Sequence, residues 1–177
     1  MPSGRTHDLI TFVLAPPTFL AVWVATGSLK LAAVVTCATL FGGLMFGPDL
    51  DIHSRQYTRW GVFRFVWLPY KAAFRHRSRL SHGIVLGTLI RVLYFTGAVA
   101  ALTLLAVYLH ARFVAGDAMP GLTEMASAWQ AVAARAAALG AGRDVLLAAF
   151  AGLWWGAAIH TFADVVWSIL RKSTEIF

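Results

Sequence analysis

The stretch LITFVLAPPTFLAVWVATGSLKLAAVVTCATLFGGLMFGP, residues 9–48, contains a single charged side chain, Lys30. From Leu9 to Leu29, and again from Leu31 to Pro48, there is no Asp, Glu, Lys, Arg or His. About 20 apolar residues suffice for a helix to cross the hydrocarbon core of a bilayer. The stretch therefore reads as two spans joined by a tight turn around Gly27-Ser28-Leu29-Lys30. Pro16-Pro17 is expected to kink the first span, which a membrane bundle tolerates. A signal peptide fits less well: only Arg5 stands against Asp8 ahead of an apolar run too long for an h-region.

Two further blocks lie outward of this pair. Val92 to Leu109 is free of charge, the span extending back past Arg91 to Gly83, and Val145 to Leu170 is interrupted only by His160 and Asp164. The expected fold is all-α: an integral membrane bundle of about four transmembrane helices, near 9–29, 31–48, 83–109 and 145–170, in a single domain over 1–177. The Ala-rich stretch from Ala126 to Leu139 suits a short external helix. The composition agrees, at 59% hydrophobic and 13% charged, against roughly half and a quarter in soluble domains. An ordinary soluble enzyme and a disordered chain are both excluded. The lone Cys37 excludes an internal disulfide and a cysteine-based zinc site.

The segment 52–82 carries Arg55, Arg59, Arg64, Lys71, Arg75, Arg77 and Arg79 and no acid, whereas 110–143 carries Arg112, Arg135 and Arg143 against Asp117 and Glu124. By the positive-inside rule the 52–82 loop is cytoplasmic. With four spans, both termini are then cytoplasmic, at the inner membrane. This accounts for most of the net charge of +7, so membrane lipids, not nucleic acid, are the expected partners. The aromatics Trp60, Phe63, Phe65, Trp67 and Tyr70 interleave with the basic residues, as in a segment lying among headgroups.

On this topology, His7, His53, His76, His82 and His160 collect at one side with Asp8, Asp49, Asp51 and Asp164. His160 and Asp164 are four apart and share a helix face. They suit a metal clamp or an interhelical hydrogen bond, and ionisable groups inside membrane helices are costly enough to suggest function. Asp49 and Asp51, if extended, point the same way, and such a pair repels unless a cation neutralises it. Taken singly, His7 reads as a solvated terminus, while His76 and His82 fit membrane-surface charge as well as ligation. Arg91 falls nine residues beyond His82, about 180° around a continuous helix, and is expected to face away from the cluster. His110, at the opposite end of its helix, reads as interfacial. Imidazole and carboxylate without thiolate suit zinc, manganese or iron. Seven candidates exceed the four ligands of a simple zinc site, so more than one ion is accommodated. Arg75, Arg77 and Arg79 flank His76 and suit an anionic group such as phosphate.

Ser-Gly-Arg-Thr-His-Asp (3–8), Leu-Met-Phe-Gly-Pro-Asp-Leu-Asp (44–51) and Arg-His-Arg-Ser-Arg-Leu-Ser-His-Gly (75–83) resemble a family of metal-binding bacterial membrane proteins of unknown function. More distantly, the set is similar to YdjM-type membrane-bound metal-dependent hydrolases. Those combine an N-terminal His, Pro-Asp-x-Asp, His-Arg-Gly-x-Thr-His-Ser and a late His-x-x-x-Asp. Here the third motif lacks the Gly and has one more residue between its histidines, and His53 comes one position later than the corresponding His. The resemblance implies that His7, Asp49, Asp51, His76, His82, His160 and Asp164 are the metal ligands. A still more remote likeness, to zinc-dependent phospholipase C and single-strand nuclease folds, implies a phosphoester.

These readings together predict a membrane-bound metal-dependent hydrolase acting on a phosphoester or lipid-linked substrate at the inner face. The ion is a divalent transition metal, zinc first. Asp49 and Asp164 are the candidate general bases, and Arg75 and Arg77 the candidate substrate ligands. The alternative is a non-catalytic metal-binding protein, a sensor, store or transport component.

Overall fold

The computed structural model describes residues 3–74, 78–110, 112–113 and 121–174, with the backbone alone for Arg79 and Thr174. Every regular element among them is helical. Four helices are long and apolar enough to cross a membrane: Gly4–Thr26, Leu29–Asp51, Leu86–His110 and Arg143–Ser173.

Helix α1 (Gly4–Thr26) starts at Ser3, whose hydroxyl accepts from the Thr6 N–H, and runs unbroken as helix through Pro16 and Pro17. It stops at Gly27, where φ is +65°, a conformation that costs glycine little. Ser28 then caps α2 (Leu29–Leu44), so the tight turn follows from this Gly-Ser pair. A 3-10 turn over Pro48–Asp51 follows α2. Beyond the cap described below come α6 (Leu86–His110), the outlying α7 (Leu122–Ala138) with no buried residue, and α8 (Arg143–Thr174). At the far end of the bundle, Lys30 Nζ donates to the Gly140 carbonyl at 2.7 Å.

Helix α8 packs chiefly on α2, and α2 on α1, whereas α6 touches α8 only slightly. Small residues set the closeness of the α2–α8 contact. A Cβ added at Gly156 would lie 2.2 Å from the Thr39 carbonyl oxygen, and one at Gly152 would lie 2.3 Å from that of Val35. Without hydrophobic driving force between helices in lipid, such backbone approach is what makes packing favourable. His160 sits one turn beyond Gly156, so this contact also fixes the height of the imidazole. Gly156→Ala should cost about 1–3 kcal/mol by overpacking. The expected result is a lowered thermal unfolding midpoint of the detergent-solubilised protein.

The basic segment is not an open loop. It folds into α3 (Arg55–Thr58), a 3-10 stretch over Gly61–Trp67, α4 (Leu68–Ala73) and α5 (Arg79–His82). Trp67 and Tyr70 are fully buried, forming the core with Phe46, Leu50 and Tyr57. Trp67 stacks on Phe95 of α6 with centroids 5.7 Å apart and meets Phe46 edge-on at 5.4 Å. Of the aromatics expected among headgroups, Phe63 and Phe65 are exposed, whereas Trp67 and Tyr70 are not. The difference arises because these aromatics find partners on α2 and α6, and burying them together outweighs spreading them on a surface. Arg59 binds Asp8 with a two-pronged fork, at 2.8 and 2.6 Å, and also donates to the Leu44 carbonyl. The segment is thus a packed cap closing the end of the bundle where α1 begins and α2 ends.

Candidate metal centre

Under this cap, chain segments far apart in sequence bring their imidazoles and carboxylates together. His7, from the first turn of α1, is buried and stacks on His160 of α8, with ring centroids 3.8 Å apart and planes 13° from parallel. His7 Nε2 lies 3.3 Å from Asp164 Oδ1, and His160 Nε2 lies 3.8 Å from Asp164 Oδ2. One ligand atom from each of His7, His160 and Asp164 falls within 4.8 Å of the others. His7 is therefore part of the cluster, not a solvated terminus.

Asp49 and Asp51 arrive from a different direction. They are expected to lie on an extended segment, but Pro48 starts a 3-10 turn with both carboxylates in it, which suits proline at a first helical position. Asp49 Oδ2 is 3.2 Å from His160 Nε2, and its Oδ1 is 3.5 Å from His82 Nε2. Asp51, with its side chain fully buried, places Oδ2 3.7 Å from Nδ1 of the same His82 ring. The turn is pinned by Gln56, whose Oε1 accepts from the Asp49 N–H at 3.1 Å and whose Nε2 donates to the Gly43 carbonyl at 2.8 Å. The same nitrogen is 3.3 Å from His160 Nδ1, so one buried amide joins α2, the turn and α8. Gln56→Leu should cost about 1–3 kcal/mol by leaving these backbone groups unpaired, and a similar loss of order should weaken any bound metal. Thermal unfolding and metal content of the variant check this.

Arg91 corrects a second expectation. It is 1% exposed and close enough to Asp51 and Asp49 to interact with both. Its Nη1 donates to the Ser81 carbonyl at 2.6 Å and its Nη2 to Thr88 Oγ1 at 3.1 Å. The 180° arithmetic fails because the helix is interrupted: α5 ends at His82 and α6 begins at Leu86. Tyr70 lies alongside, its phenol pushed above the ordinary value by burial and pulled back by the Arg91 guanidinium.

The other candidates separate. His53 packs on the Tyr57 ring at 5.4 Å and makes none of the ligand contacts above. His110 is exposed at the opposite end of α6. Arg75, His76 and Arg77 lie outside the described residues. Gln56 and Arg91 are absent from the ligand set read from sequence. For Arg91 a signal existed, a charged residue in an apolar block; for Gln56 there was none.

The donor set fits a transition metal. It offers imidazole nitrogen and carboxylate oxygen, the ligands of zinc, manganese and iron. In a tetrahedral zinc shell with bonds near 2.0–2.1 Å, neighbouring ligand atoms stand about 3.3 Å apart. The separations of 3.2 to 3.8 Å found here cluster around that spacing. Asp49 Oδ1, Asp164 Oδ1 and His160 Nε2 are also shut off from solvent without a hydrogen bond of good geometry. Buried polar atoms are rarely left so, and a cation would satisfy all three.

Four helices able to cross a bilayer, with nitrogen and oxygen ligands gathered at one end, define a helical metal-binding protein of membrane type. The chain belongs to the family described as Uncharacterized metal-binding protein (DUF2227), whose model matches residues 2–174. It is also 39% identical over 56 residues to an uncharacterized protein of Aquifex aeolicus (strain VF5), a stretch covering 31% of this chain and 39% of that protein. No solved structure matches the chain.

Proposed function

We propose that the protein is a metal-dependent hydrolase embedded in the cytoplasmic membrane, acting on a phosphoester or lipid-linked substrate at the inner face. The observation that carries this reading is the convergence of His7, His160 and Asp164 within 4.8 Å beside an open cavity. That cavity, of about 310 Å³, is lined by His82, Asp164, Val165, Ile169 and Lys172 among others. Ligands, apolar surface and an ammonium group in one space suit a phosphate carrying an apolar substituent. The excess of Arg and Lys in 52–82 supports a cytoplasmic placement of this end and of both termini.

A divalent ion held there would supply Lewis acidity and lower the pKa of bound water; zinc suits the donors best, with manganese and iron next. Asp49 and Asp164 are the carboxylates proposed to accept a proton from water. Among the described residues, Asp49, Asp51 and Asp164 together with the buried Arg91 guanidinium leave a net double negative charge, which one divalent cation would balance. Any further cation turns the centre into an anion receptor, which favours a phosphoester over an amide. Arg75 and Arg77 are proposed to hold the phosphate as it enters. The resemblance to YdjM-type hydrolases supports the same chemistry.

The near-complete burial of His7 and His160 suits a sensing or storage site equally well, and an assay separates the two. Protein in lipid nanodiscs, loaded with zinc or manganese, is expected to hydrolyse aryl phosphoesters or phospholipids. Chelation and Asp164→Asn should each abolish turnover. Metal-loaded protein inactive on every phosphoester class tested would assign it to the non-catalytic reading.

A further inference from the structure

We propose that the cluster holds two cations bridged by Asp49, and that Asp51 acts on the second through the His82 ring as a positioning residue. The inference rests on the metal-binding part of the reading above and adds the number of ions and the division of roles.

The two oxygens of the Asp49 carboxylate face different imidazoles. Oδ2 is 3.2 Å from His160 Nε2 on α8, and Oδ1 is 3.5 Å from His82 Nε2 on α5. His7, His160 and Asp164 already supply three ligand atoms within 4.8 Å of one another, with Asp49 Oδ2 as the adjoining donor. That completes four donors, the usual number for zinc, and leaves no place for His82 around the same ion. Yet His82 Nε2 is aimed at the far oxygen of Asp49. A carboxylate with a nitrogen donor beyond each oxygen is the arrangement of a bridging ligand, and ions sharing one such bridge lie roughly 3.5–4 Å apart.

Asp51 stands differently. Its Oδ2 lies 3.7 Å from His82 Nδ1, on the ring edge turned away from Asp49, where the Ser81 hydroxyl also approaches to 3.0 Å. A carboxylate on the second nitrogen of a ligating histidine fixes the ring's tautomer and orientation. Arg91 stands behind it as counter-charge and holds the same turn through the Ser81 carbonyl. Asp51 therefore orients the His82 ring without touching the ion. With Asp49 Oδ1 and His82 Nε2 as its donors among the described residues, against four at the first position, the second position is the weaker of the two.

Counting ions by elemental analysis and recording electron paramagnetic resonance on manganese-loaded protein in nanodiscs tests this. The expected result is two ions per chain with an exchange-coupled spectrum, one ion leaving first on graded chelation. His82→Ala should retain one ion with an isolated-ion spectrum. Asp51→Asn should keep the coupled spectrum while the weaker ion binds roughly 10–100-fold less tightly. One ion with an isolated-ion spectrum in the unaltered protein would overturn the inference and leave the single-ion hydrolase standing. No bound ion would overturn both. Loss of the second ion in Asp51→Asn at saturating manganese would make Asp51 a ligand and overturn its positioning role.

Discussion

Protein carrying Asp49→Ala together with His160→Ala is expected to leave purification without bound transition metal, while unaltered protein prepared beside it retains metal. These two side chains meet at 3.2 Å and come from opposite sides of the cluster, one from the turn after α2 and one from α8. Removing both deletes donors from the set around His7 and Asp164 and cuts the link to His82. An outer partner of a ligand is worth roughly 10–100-fold in affinity, and a pair of direct ligands is worth more. The fold should survive, because the glycine-mediated contact of α2 with α8 is made at Gly152 and Gly156, one turn or more before the substituted imidazole. Retained helicity and an unfolding transition of normal width would show this. His53→Ala provides the contrast: its ring packs on Tyr57, and metal content should not change.

Arg91→Met is expected to be the most damaging single change to stability. The guanidinium is 1% exposed and interacts with Tyr70, Asp51 and Asp49. Removing a buried charge that interacts with carboxylates costs up to about 3–5 kcal/mol. The Ser81 carbonyl and Thr88 hydroxyl lose their donors as well, so the turn bearing His82 loosens. Thermal unfolding in detergent should show a large drop, and the metal on the His82 side should be lost before that held by His7, His160 and Asp164. Arg91→Lys keeps the charge but not the fork, so it should recover part of the stability and less of the metal. A Met variant as stable as the unaltered protein would show that Asp51 is neutralised by some other group.

How far the sequence reveals these features depends on the kind of information each one carries. The spans are legible because a bilayer demands long apolar runs, so the apolar blocks at 9–29, 31–48, 83–109 and 145–170 mark four helices to within a few residues. The pairing of His160 with Asp164 is legible because helical periodicity alone puts them on one face. The joining of His7, Asp49 and His82 to that pair is inferred from topology, since these residues belong to separate segments. Arg91 is misplaced because rotation about a helix can be counted only where the helix is continuous, and nothing local announces the break over residues 83–85. The same limit applies to Gln56, whose importance lies in bonds to Gly43, Asp49 and His160 that exist only after folding. The aromatic cap fails for a related reason: headgroup anchoring and burial call for the same residues, and only the partners Phe46 and Phe95 decide between them.

The central claim is that this end of the bundle binds a transition metal through nitrogen and oxygen ligands. Elemental analysis of the unaltered protein, purified without chelator from metal-replete cells, tests it most directly. Stoichiometric zinc, manganese or iron that survives dialysis and is absent from the Asp49→Ala/His160→Ala variant is the predicted result. Unaltered protein that is folded yet metal-free, or a variant that keeps the full complement, would contradict it.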